Sequence, residues 1–292
     1  MPRMQGWFLL FALLFGSMGA GADGGSLQDQ VRTAYRGKVL TLRQFYDAEK
    51  LHFGTNGHLV GEATTGPWTV DGQLQVTDIH FQSRMLQIKG KRLTLVFDPT
   101  TKKLRDLMEI SPKQLIMEGH IFRGRKRRER AREARVLEVD LELPAAAKLV
   151  TDVESAMSVA FLSPNDDLVD FVPEFWRDFV LQQEGKPPHV APPGSKPVYK
   201  YGETVSKPRV LYQPDPEYSE AARQAGYFGD AVFSLVAIPQ GNVRDVKIVT
   251  PAGLGLDEEG IKVVNQWRLE PGRKDGVPVA VRLDVSMSWR MY

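Results

Sequence analysis

The stretch GKPPHVAPPGSKP, Gly185–Pro197, most constrains what this chain can fold into. Each proline fixes φ and removes an N–H donor, so neither a helix nor a central strand can run through it. It reads as a stiff, extended spacer continuing to residue 206. A chain of 292 residues is long enough for one to three domains. The spacer therefore predicts two folded units, residues 23–184 and 207–292, that fold independently with few contacts across the divide.

The chain starts MPRMQGWFLLFALLFGSMGAGADGG. Arg3 precedes an apolar run from Trp7 to Phe15, and Ala20-Gly21-Ala22 has the small-x-small pattern of a cleavage site. A bilayer-spanning helix needs about 20 apolar residues, more than this run supplies. Residues 1–22 are read as a signal peptide, which predicts an exported, periplasmic protein. The alternative is an uncleaved anchor in the inner membrane. The sequence has no cysteine, which removes thiol catalysis, thiolate zinc sites and iron–sulfur clusters from consideration.

From Gly37 to Leu143 the pattern is an antiparallel β meander. Asn56-Gly57 sits between strand-like arms as a hairpin turn, which would set His58 opposite Thr55, and Asp71-Gly72 repeats the signal. Helices follow. Leu149, Val153, Ala156, Met157 and Ala160 share one face of a helix over Ala145–Phe161. A second helix, Asp166–Gln183, is capped at Ser163-Pro164 and must kink or restart at Pro173. Its aromatics Phe171, Phe175, Trp176 and Phe179 have the spacing of a packing stripe.

After the spacer, the order is helix, two strands, helix, strand. The first helix is predicted to be capped by Asp215, started by Pro216 and ended by Gly226; Gln240-Gly241-Asn242 makes a hairpin turn; Asp257 caps the second helix, with Ile261, Val264 and Trp267 inward. The fold class is α+β: an antiparallel β-rich module followed by helices, then a small domain with two helices on a three-stranded antiparallel sheet.

The landmarks of this last segment stand in a fixed order. They are Pro216-x-Tyr218, Ala221-Ala222-Arg223, Gly226, Gly229, Gly241-x-Val243-x-Asp245-Val246, Gly253, Leu256-Asp257, Trp267-Arg268, Pro271 and Gly276-x-Pro278-Val279. In that register the segment from Lys207 to Tyr292 resembles the C-terminal domain of the TonB family of energy transducers. The N-terminal module carries no such resemblance. The resemblance implies a periplasmic domain that binds partner proteins, outer-membrane transporters or other envelope proteins, by adding a strand of the partner to a sheet edge. It further implies inner-membrane motor proteins as partners, and a homodimer as one mode of assembly. The last strand, Val279–Arg290, is the candidate edge, with Arg282, Asp284, Ser286, Ser288 and Arg290 on its polar face. A groove near Tyr212 and Tyr218 is the second candidate surface. An edge shielded by its own charges against aggregation reads the same way.

The sequence departs from a full transducer in two respects. The family's anchor carries a Ser and a His on one helical face, whereas this run has Ser17 and no His. A folded module and a short spacer also stand where the family has a long periplasm-crossing segment.

Other signals point away from catalysis and cofactors. The histidines His52, His58, His80, His120 and His189 have no zinc-motif spacing, so no metal site is expected. Nucleophile-elbow, phosphate-loop and dinucleotide motifs do not occur, and neither an enzyme nor a cofactor is expected. The basic run Phe122–Arg135 on an exported chain reads as a solvated segment, or as a contact for anionic lipid, rather than as a nucleic-acid patch.

Overall fold

The computed structural model describes residues 26–110, 135–145, 149–188 and 197–290. The expected signal peptide, most of the basic run and the middle of the spacer lie outside the described residues. Helix α1 (Leu27–Tyr35) opens at Ser26, whose hydroxyl accepts the Asp29 N–H at 3.2 Å, and buries Val31 and Tyr35. Then come β1 (Val39–Thr41), β2 (Tyr46–Asp47), β3 (Lys50–Phe53), β4 (Thr64–Thr65) and the single turn α2 (Trp68–Asp71). The long strands β5 (Gln73–Gln82) and β6 (Met85–Arg92) lead to β7 (Leu95–Asp98), β8 (Lys103–Asp106) and β9 (Val136–Glu142).

Five of these form one sheet in the order β1-β5-β6-β9-β3. It is antiparallel except for β3 and β9, which run parallel. That parallel pair departs from the expected meander. Two turns also differ. Asp71-Gly72 ends the turn α2 instead of closing a hairpin. At Asn56-Gly57 the chain does turn, but Gly54 N–H donates to His58 C=O at 3.0 Å, so His58 faces Gly54 and not Thr55. Asp71 is buried and engages Arg92 and Arg135 at 3.4 and 2.6 Å, which leaves no free side chain for a turn tip.

Helix α3 (Val150–Ala160) buries Val153, Met157 and Ala160. Leu149 does not join them and is 64% exposed. It stands at the helix start, where its N–H donates to Asp152 Oδ2 at 2.9 Å. Asp166 binds back to Ser163, and helix α4 (Glu174–Gln183) restarts directly after Pro173, where proline cannot continue a helix. Trp176 is fully buried and meets Trp68 edge-on at 5.4 Å.

The remaining elements are β10 (Tyr199–Lys200), β11 (Arg209–Tyr212), α5 (Glu220–Ala225), β12 (Gly229–Ala237), β13 (Val243–Thr250), α6 (Leu256–Val264), β14 (Arg268–Glu270), β15 (Arg273–Lys274), β16 (Val277–Pro278) and β17 (Val281–Trp289). Gly226 ends α5 in the left-handed conformation, as the pattern predicts. The cap is Ser219, not Asp215: its hydroxyl accepts the Ala222 N–H at 3.2 Å. Asp257 lies inside the first turn of α6, and its carboxylate accepts the N–H groups of Ala252 and Gly253 at 2.8 and 2.7 Å. It therefore fastens the preceding loop to the helix, and Gly255 occupies the cap position.

The second sheet has the order β10-β17-β12-β13. The expected three antiparallel strands are present, and the spacer adds β10 as a fourth, parallel to β17.

The expectation of few contacts between the halves is not met. Buried side chains of both halves form one hydrophobic core. Leu254 N–H donates to Leu95 C=O at 2.8 Å, and Phe97 N–H to Ala252 C=O at 3.3 Å, so the loop before α6 pairs with β7. Gly253 makes this approach possible: its φ is +90°, and a Cβ there would sit 2.3 Å from the Leu95 oxygen. Gly255 N–H reaches Thr69 Oγ1 at 3.1 Å, and Lys247 pairs with Asp178 at 2.5 Å.

Candidate protein-binding edge

The site is built from one strand and what surrounds it. Strand β17 alternates buried and open side chains: Val281, Leu283, Met287 and Trp289 point into the core, while Asp284, Ser286 and Ser288 are exposed. Nine successive residues of β17 pair with β12, from Val281 opposite Ala237 to Trp289 opposite Gly229. Trp289 anchors the far end, where its indole N–H donates to Glu217 C=O at 2.9 Å.

Among the described residues, strand pairing on the other side of β17 covers only its start. Tyr199 pairs with Val281 and Lys200 with Arg282, and Tyr199 N–H donates to Ala280 C=O at 2.9 Å. In this parallel register the N–H and C=O of Arg282 point toward β10. Backbone groups alternate sides along a strand, so Asp284, Ser286 and Ser288 turn theirs the same way, past the end of β10. Val281, Leu283, Val285 and Met287 turn theirs toward β12. Among the described residues no strand pairs with the Asp284–Ser288 side. At the opposite border of the sheet, helix α4 packs against β13.

The sequence-predicted residues do not share one setting. Asp284 and Ser286 project freely on the solvent face. Ser288 and Arg290 both engage Asp230 of β12, the hydroxyl at 2.6 Å and the guanidinium at 2.7 and 2.9 Å. Arg282 is half-buried and reaches Ser234 Oγ at 3.4 Å. Tyr212, 54% exposed, lies away from this edge on β11, which pairs with β14. Tyr218 is packed against the core with its hydroxyl enclosed, and burial raises its pKa.

Sequence reasoning missed Tyr199 and Lys200, because proline content made the whole of 185–206 read as a stiff, extended spacer. It also missed Glu258, whose Oε1 accepts the Trp176 indole N–H at 2.9 Å, while its Oε2 is enclosed without a hydrogen-bond partner among the described residues. Burial raises the Glu258 pKa above the carboxylate range, and the adjacent Asp257 raises it further.

Among the described residues no group of three or more His, Cys, Asp or Glu side chains converges on a point that could hold a metal. What the arrangement offers is backbone: a row of outward N–H and C=O groups on a strand held rigid from the opposite side.

This part of the chain is an α+β domain, a four-stranded sheet with helices packed against it. Residues 214–291 match the family described as Gram-negative bacterial TonB protein C-terminal. The protein TonB of Vibrio cholerae serotype O1 is 29% identical over 89 residues, 30% of this chain and 36% of that protein. Residues 214–291 form a TonB C-terminal domain. The chain spans about a third of the length of that relative.

Proposed function

We propose that this chain acts in the Gram-negative cell envelope as a periplasmic, non-catalytic binding protein. Its TonB C-terminal domain captures an extended segment of an outer-membrane transporter along the outer side of β17, in energy-coupled uptake. The observation that carries this reading is the row of backbone groups at Asp284, Ser286 and Ser288, unpaired among the described residues, on a strand whose other side is fully paired. Strand addition draws its affinity from such groups, and side chains supply selectivity.

A second reading is a scaffold or ligand carrier of the envelope without energy transduction. A cleft of about 270 Å³ in the N-terminal half favours it, lined by Arg43, Tyr46, Phe53, His58, Val159 and Phe171.

Single prolines placed from Leu283 to Ser288 separate binding from folding. Proline at Asp284 or Ser286 removes an outward N–H, so capture of transporters from an outer-membrane extract should fall sharply while the melting temperature changes little. Proline at Leu283, Val285 or Met287 removes a rung to β12 and should lower the melting temperature instead. Ser286→Ala should leave both unchanged. If every folded proline variant captures the same proteins as wild type, this edge is not the binding surface and the second reading takes its place.

A further inference from the structure

The spacer does not merely connect the two halves. Its residues Tyr199 and Lys200 fill the first two rungs on the open side of β17. The chain then leaves the edge at once: Gly202 N–H donates to Val205 C=O at 2.9 Å, and Val205 is buried beside Lys274. Ser206 N–H donates to Arg273 C=O at 2.9 Å, which ties the exit of the turn to β15. Tyr199 is half-buried, and Lys274 Nζ sits 4.8 Å from the centre of its ring. Lys200 is exposed. The resident strand is thus short, anchored by one aromatic ring, and tethered on its C-terminal side by a compact turn.

We propose that Tyr199–Lys200 is a built-in competitor for the docking edge, displaced when an extended segment pairs parallel to β17 along its full length. The inference rests on the reading that the β17 edge is the docking surface, and it specifies the incoming segment. That segment runs parallel to β17 and carries an aromatic residue opposite Val281, where the Lys274 ammonium receives the ring. Two features set this apart from a passive linker. The pairing is in register with the unoccupied part of the same edge, so one continuous partner strand cannot use Arg282 and Ser286 together while β10 remains. The pairing is also one-sided in Tyr199: its N–H and C=O face β17, and those of Lys200 face away.

The test uses the full chain and a fluorescently labelled peptide of its own sequence, Pro197–Val205 (PVYKYGETV). Tyr199→Pro removes the inward N–H and the ring, and so frees the edge. If the resident strand is in place nine-tenths of the time, the peptide should bind this variant about tenfold tighter than wild type. Lys200→Pro, which removes an outward-facing N–H only, should bind like wild type. A peptide with alanine in place of the tyrosine that corresponds to Tyr199 should bind Tyr199→Pro more weakly than the parent peptide. Adding Arg282→Pro to Tyr199→Pro should abolish binding, with the melting temperature recorded to show that the variant is folded. If that double variant does not fold, Ser286→Pro in the same background provides the same loss of an outward donor.

Equal affinity for wild type and Tyr199→Pro, or binding that survives both outward-donor prolines, would overturn the inference. The outcome is separable from that of the docking reading. A peptide that binds Tyr199→Pro as expected but is not displaced by captured transporter segments leaves the competitor intact and removes the docking reading. Transporter capture that depends on Asp284 and Ser286 but is unaffected by Tyr199→Pro does the reverse.

Discussion

Trp176 of helix α4 donates its indole N–H to the carboxylate of Glu258 in helix α6 across 2.9 Å, joining the first half of the chain to the TonB C-terminal domain. The two residues are 82 positions apart, on opposite sides of the proline-rich spacer. The ring is fully buried, and the Glu258 carboxyl has an enclosed second oxygen with no hydrogen-bond partner among the described residues. The junction therefore depends on a polar contact set within an apolar interface, where an unmade bond is costly.

Trp176→Phe keeps most of the ring volume and deletes the donor. It should destabilise the protein by about 1–3 kcal/mol, because Glu258 is left without its partner. Glu258→Leu in the same background should recover part of that loss. A urea unfolding series on the two variants measures both, and no loss in Trp176→Phe would mean that water replaces the indole.

The same carboxylate makes the junction sensitive to pH. Burial raises the Glu258 pKa, the neighbouring Asp257 and Glu259 raise it further, and the Trp176 bond opposes them. A folded-state pKa above the unfolded value means that the folded state holds the proton more tightly. The contribution is complete below the ordinary carboxylate range and is lost as pH rises from there through the raised pKa. Wild type should therefore lose stability relative to Glu258→Gln between pH 5 and 9, by up to about 1.4 kcal/mol per pH unit within the titrating range. Parallel pH dependences for the two proteins would show that Glu258 does not titrate in this window.

Gly253→Ala tests the seam between the loop before α6 and β7. The new Cβ would lie 2.3 Å from the Leu95 oxygen at a backbone φ of +90°. The strain alone is worth about 1–3 kcal/mol, and separating the strands adds to it. The melting temperature should fall substantially, and protease should cut within 185–206 more readily than in wild type.

Trp267 lies between α6 and β14 and is 3% exposed. Trp267→Ala should cost about 3–5 kcal/mol, as for other buried large aromatics. A change in partner capture with unaltered thermal stability would instead make Trp267 a contact residue.

With Trp176 and Gly253 binding the halves into one core, thermal unfolding should be a single cooperative transition. Calorimetry decides: two separated transitions would mean that the junction contributes little.

Local elements were legible in the order of residues. Period-two alternation located β17, because a half-buried strand must alternate. The restart at Pro173 and the stop at Gly226 followed from backbone chemistry alone. The ordered landmarks from Pro216 to Val279 were enough for the C-terminal domain, because turn, cap and core residues in one register describe a fold. Only the tertiary structure decided what those elements meet. Asp71, Asp215 and Asp257 all carry short acidic side chains suited to turns and caps. Burial next to Arg92 and Arg135 claimed the first, Ser219 took the cap from the second, and the Ala252–Gly253 loop claimed the third. Proline made the spacer extended, and extended backbone is what a sheet edge accepts. Whether Tyr199 would lie in water or against β17 depended on Ala280 and Lys274, some eighty residues further along the chain. Such long-range pairings leave no periodic trace in either partner, which is why the closed seam between the halves and the occupied end of the β17 edge could be read only from the folded chain.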